Sequence, residues 1–291
     1  MRQATHDGVG PILSARSLAE HLDDPSWRVI DCRHDLSDPA LGRRAWAESH
    51  IPGAIFWHLD EDLSGPRTGT NGRHPLPSYG DFVRFVEACG IMPETRVVVY
   101  DDDGGMFAAR AWWMLRWIGH RRVAVLDGGW NAWRSDNLPF DRSVRQAAPC
   151  TYPAAPEPCM PTVTADELLA QLGTGRFLIL DARSPDRYRG ENEALDPVAG
   201  HIPGAVNRFY RLNLDEHGRF RPPEALRAEF AALLAGRDPS EVVHQCGSGV
   251  TACHNLMAME WAGLCGSRLY PGSWSEWCAD PRRPIKQGPE P

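Results

Sequence analysis

A cysteine between a predicted strand and a predicted helix carries the most specific chemical signal in this chain. Cys246 follows two valines and precedes two glycines, in the stretch VVHQCGSGVTACHN. Beyond the glycines, apolar residues recur every three or four positions, which predicts a helix that begins directly after the loop. The loop N–H groups and the helix N-terminus favour negative charge, so a thiolate would be stabilised there. The pattern therefore predicts a sulfur nucleophile.

The residues next to Cys246 are small and offer backbone hydrogen-bond donors. Glycines at 247 and 249 allow the backbone to curl around one atom, so that several N–H groups can point at a sulfur or a bound anion. The predicted anion cradle consists of Gly247, Gly249, Val250 and Thr251. The alternative is a buried and inert cysteine in a strand-to-helix turn, because isolated cysteines are often buried.

A long-period internal repeat places a second copy of this loop in the first half of the chain. RVIDCR matches LILDAR, SHIPGA matches GHIPGA, and LDGGWNAW matches LYPGSWSEW, all in the same order. VVVYD, which ends at Asp101, matches VVHQC, which ends at Cys246. The chain is therefore predicted to contain two copies of one domain, of which only the second has the thiol.

The elements that must position these loops alternate in type. Short apolar runs, such as Val97 to Tyr100 and Phe177 to Leu180, are typical of buried strands, and amphipathic segments lie between them. Ser14 and Thr164 are predicted helix N-caps, and Thr164 forms a capping box with Glu167. The alternation predicts an α/β fold of two tandem domains, each a mostly parallel sheet flanked by helices.

A proline-rich segment separates the two copies. Five prolines lie from Pro149 to Pro161, which excludes helix interior and central strand and is typical of a stiff, extended linker. The predicted organisation is a non-catalytic N-terminal domain over 1–142, a linker over 143–161 and a C-terminal catalytic domain over 162–291.

Composition narrows the class of partner. The chain of 291 residues has a formal net charge of -7, which disfavours nucleic acid and anionic membrane surfaces. No apolar run is long enough to cross a bilayer and the N-terminus does not resemble a secretory signal, so a cytoplasmic location is expected. The eight cysteines are too sparse for a disulfide scaffold, and most are expected to be reduced.

The two HIPGA elements, the CGSGVTA loop and the terminal GSWSEW resemble the two-domain rhodanese sulfurtransferases, and the resemblance covers essentially the whole chain. It implies two rhodanese folds, the second with a loop cysteine that carries a persulfide. CGSGVTA is similar to the loop of the 3-mercaptopyruvate branch, whereas the thiosulfate branch usually has basic residues after the cysteine. The implied reaction moves a sulfane sulfur from 3-mercaptopyruvate through a Cys246 persulfide to cyanide or a thiol, either a small thiol or a thioredoxin-like protein. No cofactor is implied.

The resemblance also implies roles for residues outside the cradle. Arg187, in ARSPDRYRG, matches the arginine that holds the anionic group of the donor. A second substrate arginine is common at the position of Asp196, and Arg189 is the candidate to replace it. Ser248 is a catalytic hydroxyl that distinguishes the two branches. Two residues of the first copy are candidates to reach that hydroxyl: Asp60 and His74.

Several alternatives remain open at this level. Thiosulfate is the rival donor, and a persulfide-carrier module without turnover is a rival of another class. A cysteine phosphatase is disfavoured because it needs an arginine six residues after the nucleophile, where this chain has Ala252. Zinc binding by His244, Cys246, Cys253 and His254 is disfavoured because Cys253 lies along the helix and is expected in the core, so no metal is predicted.

Matched ionic residues are predicted to be structural. Asp31 with Arg33 and Asp181 with Arg183 occupy equivalent strand ends in both copies, although one copy lacks the nucleophile. The same argument assigns structural roles to two matched histidines, His50 and His201.

Overall fold

A computed structural model describes residues 10–144 and 148–291 of the chain, which divide into two compact units. The first unit contains the described residues up to Gly65 together with Pro77–Cys159 and Asp215–Phe220. The second contains Pro66–Leu76, Met160–Leu214 and Arg221–Pro291. The predicted division into 1–142 and 162–291 leaves out this exchange of two short segments.

The first unit is built on a parallel sheet of five strands in the order β1-β5-β4-β2-β3. The strands are β1 (Ile12–Leu13), β2 (Trp27–Asp31), β3 (Ile55–Phe56), β4 (Arg96–Tyr100) and β5 (Val123–Leu126). The helices are α1 (Ala15–Ala19), α2 (Leu41–Glu48), α3 (Tyr79–Ala88), α4 (Ala108–Trp117) and α5 (Gly129–Ser135). Strand β4 is buried from Val97 to Tyr100, which accounts for its nearly continuous apolar sequence.

The second unit repeats this plan with four parallel strands in the order β7-β6-β8-β9. The strands are β6 (Leu178–Asp181), β7 (Ala205–Asn207), β8 (Val242–Gln245) and β9 (Arg268–Leu269). The helices are α6 (Ala165–Ala170), α7 (Pro185–Arg189), α8 (Pro223–Leu234), α9 (Thr251–Trp261) and α10 (Ser273–Trp277), with short 3-10 turns at Tyr210–Asn213 and Pro239–Glu241. The predicted α/β fold with mostly parallel sheets is confirmed.

Local signals in the sequence correspond to the observed helix starts. The Ser14 side chain accepts the N–H of Ser17 at the start of α1. Thr164 and Glu167 form a complete capping box at the start of α6. Helix α9 begins at Thr251, directly after the Cys246 loop, and is buried on all sides from Thr251 to Met259 rather than along one stripe.

The described part of the proline-rich segment, residues 148–160, contains neither helix nor strand. It follows the first unit through main-chain hydrogen bonds, such as the Cys159 N–H to the Trp117 carbonyl at 2.8 Å. In the described ranges, no helix combines the length and apolar character needed to cross a membrane.

Candidate active site

The Cys246 thiol lies where β8 ends and the loop toward α9 begins. Its Sγ accepts the N–H of Gly249 at 3.2 Å, so the loop closes around the sulfur. The residue is only 2% exposed, which is less than expected for a freely accessible nucleophile. The enclosure follows from the loop path, because Gly249 has φ +78° and a Cβ there would lie 2.3 Å from the Pro271 carbonyl oxygen.

The loop around this sulfur contains further hydrogen-bond donors. Four of its N–H groups have no acceptor in the part of the chain that the structure describes: Gly247, Ser248, Val250 and Thr251. All four residues are buried. Buried N–H groups in proteins are nearly always paired, so a loop with several unpaired donors around one sulfur is suited to a bound anion.

The first unit shows what an equivalent loop binds. Asp101, at the position that matches Cys246, is fully buried. Its carboxylate accepts four main-chain N–H groups at 2.7 to 3.0 Å, from Asp103, Gly105, Phe107 and Ala108. Burial raises the pKa of Asp101 to about 6, and these N–H groups oppose the rise. The first loop thus surrounds a negative group of its own side chain.

Two of the predicted residues meet beside the thiol. His74 Nδ1 lies 2.7 Å from Ser248 Oγ, and both side chains are buried. His74 belongs to the segment 66–76 of the second unit, which explains how a residue from the first half of the chain reaches this loop. Asp60 belongs to the first unit, where its carboxylate lies 3.8 Å from His34 Nε2.

The predicted substrate arginine faces the loop from α7. Arg187 donates to Glu193 from Nε at 3.1 Å and from Nη2 at 2.8 Å, and Nη2 also contacts Asp196 at 3.3 Å. A Cβ built on Gly247 would lie 3.5 Å from Arg187 Nη1. Nη2 would lie at 3.4 Å from the same Cβ, so the guanidinium is held by two carboxylates with both terminal nitrogens beside the Cys246 loop.

A second arginine, which sequence reasoning did not identify, completes this arrangement. Arg73 forms an ion pair with Asp196, and its Nη2 would lie 2.9 Å from a Cβ on Gly247. The sequence contained one signal for such an arginine, the aspartate at position 196. A buried acidic side chain there needs a positively charged partner from another part of the chain. Arg189, the expected substitute, instead pairs with Glu191 at 2.7 Å on the surface.

The matched ionic residues have the predicted structural role. In each copy an arginine forms a bidentate ion pair with the strand-end aspartate, at 2.6 Å between Arg33 and Asp31 and at 2.7 Å between Arg183 and Asp181. Each guanidinium also lies over a tryptophan ring and donates to a main-chain carbonyl. The Nδ1 atom of each matched histidine contacts a carbonyl oxygen of a nearby helix. His50 contacts the carbonyl of Trp46, and His201 contacts that of Tyr188.

Other cysteines have environments unlike that of Cys246. Cys253 is fully buried in α9, as predicted, and its Sγ lies 3.3 Å from the Gly249 carbonyl oxygen. Burial raises the pKa of Cys89 and of Cys278 to about 11, and raises that of Cys32 strongly. These three thiols are held in the protonated, weakly nucleophilic form.

One group of described side chains brings possible metal ligands within 4.8 Å of one another: His34, His58 and Asp60. Neither nitrogen of His58 is free, because Nε2 lies 2.9 Å from the Pro39 carbonyl oxygen and Nδ1 accepts the Asp60 N–H at 3.1 Å. The group therefore does not fit a metal ion, and the zinc set considered around Cys246 does not assemble among the described residues.

Comparison with known proteins adds independent information. The rhodanese-like domain family matches residues 14–136 and 164–280. A Pseudomonas aeruginosa protein named "Probable 3-mercaptopyruvate sulfurtransferase" is 48% identical over 279 residues, covering 95% of this chain and 98% of the relative. A Mycobacterium tuberculosis protein with a thiosulfate sulfurtransferase name is 40% identical and covers 95% of this chain and 97% of the relative.

A solved structure agrees in fold over nearly the whole chain. The 3-mercaptopyruvate sulfurtransferase from Leishmania major has a TM-score of 0.85 and 32% identity, and the match covers 97% of this chain and 78% of that one. Family, relatives and structure therefore confirm the resemblance found in the sequence. The chain belongs to the rhodanese family, as a tandem of two rhodanese-like domains, and is a sulfurtransferase.

Proposed function

We propose that the protein transfers a sulfane sulfur from 3-mercaptopyruvate through a persulfide on Cys246. The observation that carries this proposal is the Cys246 loop, in which the Gly249 N–H donates to the sulfur and four further N–H groups have no acceptor among the described residues. A thiolate and a persulfide are both anions centred on this loop, and N–H groups directed at them stabilise both. The Asp101 carboxylate in the matching loop supports the same principle.

Arg187 and Arg73 are suited to the carboxylate of the donor. Guanidinium nitrogens of both side chains lie next to Gly247, the residue that follows Cys246. Two guanidinium groups that converge on one point can hold a planar carboxylate by charge-assisted hydrogen bonds. The donor sulfur would then lie close to Cys246.

Charge balance favours this donor over thiosulfate. Three arginines and three carboxylates form one ionic cluster beside the loop: Arg73, Arg183, Arg187, Asp181, Glu193 and Asp196. The cluster is neutral as a whole, which suits the single carboxylate of 3-mercaptopyruvate better than a compact dianion. Thiosulfate remains the second candidate, because Arg73 and Arg187 bring positive charge to the loop and because several relatives bear that donor in their names.

The chemical step needs a proton to move as sulfur is transferred. The Cys246 thiolate attacks the donor sulfur, the carbon–sulfur bond breaks, and the electron pair passes to the enolate of pyruvate. The proton of the donor thiol is transferred to that carbon, so that Cys246 persulfide and pyruvate are formed. His74, at 2.7 Å from Ser248, is placed to relay this proton through the hydroxyl. That Asp60 also reaches the Ser248 hydroxyl stays a prediction.

In the second half-reaction, an acceptor attacks the outer sulfur of the persulfide. A thiol acceptor, either a small thiol or a thioredoxin-like protein, becomes a persulfide, and cyanide becomes thiocyanate. In both cases the Cys246 thiol is regenerated. No cofactor is needed for either step.

Substitution of the nucleophile tests the proposal. Cys246→Ser is expected to abolish both sulfur transfer and the cyanide-releasable sulfur on the purified protein, because a serine cannot form a persulfide. The matched control is Cys253→Ala, which removes a fully buried thiol in α9 and should keep most of the activity. Substantial transfer by Cys246→Ser would contradict the assignment.

The donor is tested by steady-state kinetics of the unmodified protein. Discrimination arises from differential binding of transition states, so the ratio of kcat/KM values measures it. We expect the larger kcat/KM with 3-mercaptopyruvate. A larger value with thiosulfate would make thiosulfate the donor and would leave the persulfide on Cys246 unaffected.

A further inference from the structure

The segment between β9 and α10 holds the main chain of the nucleophile. The N–H of Cys246 donates to Ser273 Oγ at 3.1 Å, and that hydroxyl donates to the Tyr270 carbonyl at 2.9 Å. The Trp274 N–H donates to the Cys246 carbonyl at 3.0 Å, and the Ser275 N–H to the Gly247 carbonyl at 2.9 Å. The peptide groups on both sides of Cys246 are thus fixed by three successive residues, Ser273 to Ser275.

Ser273 has a backbone conformation that serine rarely adopts. Its φ is +54°, in the left-handed region, and the residue is fully buried. This conformation is unfavourable for residues with a Cβ and easy for glycine. Strained residues of this kind are concentrated at functional sites.

The first unit contains the same turn with a glycine. Gly129 also has φ +54°, and the next residue, Trp130, donates its N–H to the Asp101 carbonyl at 2.8 Å. The hydrogen bond from the tryptophan N–H to the carbonyl at the strand end is therefore present in both copies, including the copy without the Cys246 thiol. The serine hydroxyl is found only in the copy that contains Cys246. A glycine would adopt this φ without strain. The presence of a strained serine instead indicates that its hydroxyl has a function.

We propose that Ser273 is a positioning residue that orients Cys246 for sulfur transfer. Its hydroxyl binds the Cys246 N–H and thereby fixes the main chain from which Sγ projects into the cradle. The effect passes through Cys246 and requires no contact of Ser273 with the donor. The inference rests on the proposed role of Cys246.

Three substitutions separate the hydroxyl from the backbone strain. Ser273→Ala removes the hydroxyl and keeps the strain, Ser273→Gly removes both, and Ser273→Thr keeps the hydroxyl. We expect kcat to fall by about tenfold or more in the Ala and Gly variants, with an unchanged KM for the donor, because misdirection of a reacting atom affects turnover. The Thr variant should keep more of the rate. The Tm should instead be highest for Gly, since Tm follows the strain.

If Ser273 positions Cys246, the Gly variant should have a low kcat and a high Tm. If Ser273 were merely structural, kcat and Tm would rise or fall together across the three variants. The matched control is Ala235→Gly, which relieves a φ of +49° at the exposed end of α8 and should raise Tm without changing kcat. A wild-type kcat in Ser273→Gly would overturn the inference. Failure of the proposed function would appear separately, as sulfur transfer by Cys246→Ser.

Discussion

At the scale of single residues, the important feature of the proposed donor site is the position of its arginine side chains. Asp196 stands where the family often has an arginine, yet it contacts Arg187 and forms an ion pair with Arg73. The Asp196 side chain is 2% exposed, so its negative charge is satisfied mainly by these two guanidinium groups. In the proposed donor site, Arg73 would take the role of the arginine that the family often has at position 196.

Arg73→Gln tests this relocation. We expect the KM for 3-mercaptopyruvate to rise by about tenfold or more with a smaller change in kcat, because a charge-assisted hydrogen bond to the donor carboxylate is lost. Arg73→Lys keeps the charge but loses the planar guanidinium. Its KM should lie between the KM of Arg73→Gln and that of the unmodified protein. Arg189→Gln is the control, since Arg189 pairs with Glu191 on the surface. An unchanged KM in Arg73→Gln would exclude Arg73 from the donor site.

At the scale of elements, the two copies use one strand-loop-helix unit for different purposes. The strand end supplies a side chain that accepts main-chain N–H groups of the following loop: the Cys246 sulfur accepts one in the second copy, and the Asp101 carboxylate accepts four in the first. In the first copy the anion is built into the loop, so the donors are satisfied by the fold itself. We therefore expect the first loop to contribute stability, whereas the second loop is the proposed site of sulfur transfer.

Asp101→Ala should show this difference. Loss of the carboxylate leaves three buried N–H groups and one part-buried N–H group without their acceptor, and we expect the free energy of unfolding to fall by about 3 kcal/mol or more. Sulfur transfer per folded molecule should be unchanged. Urea unfolding followed by circular dichroism measures the first quantity, and Asp23→Ala, an exposed aspartate of the same unit, is the control. Equal stability of Asp101→Ala and the unmodified protein would contradict a structural role for this loop.

At the scale of the whole molecule, two buried histidines make stability depend on pH. Burial lowers the pKa of His244 to about 3 and that of His120 to about 4, against about 6.5 in the unfolded chain. His244 is fully buried, and neither of its ring nitrogens has a hydrogen-bond partner among the described residues. The folded state therefore requires both rings to be neutral.

The direction of this pH dependence follows from the difference in proton binding between the folded and unfolded states. Because the unfolded chain binds protons at these histidines below about pH 6.5, stability is complete above that pH and falls as the pH decreases toward 4. At pH 5 the loss is roughly 2 kcal/mol for each histidine. Asp101 acts in the opposite direction, since its pKa is raised to about 6, and offsets about 1 kcal/mol.

Urea unfolding of the unmodified protein and of His244→Leu at pH 7 and pH 5 measures this effect. The substitution should reduce the stability difference between the two pH values by roughly 2 kcal/mol, because leucine does not titrate. Residual buffer effects are controlled by comparing both proteins in the same solutions. The same pH difference in His244→Leu and in the unmodified protein would rule out His244 as the source of acid sensitivity.

The sequence by itself determined the features that depend on neighbours along the chain. The caps at Ser14 and Thr164, the start of α9 after the glycines and the strand of Val97 are local consequences of side-chain chemistry and hydrophobic period. The internal repeat then identified two domains, and the CGSGVTA loop predicted that the second one carries the nucleophile.

Only the tertiary structure decided which distant side chains meet at the thiol. Segment 66–76 groups with the second unit, and this places Arg73 beside Asp196 and His74 beside Ser248. Its sequence is rich in glycine and polar residues and has no hydrophobic period from which a location could be inferred. The bond between Ser273 and the Cys246 N–H spans 27 positions and depends on a left-handed φ that serine does not favour. Such contacts are products of chain path and packing, which composition and local period do not encode.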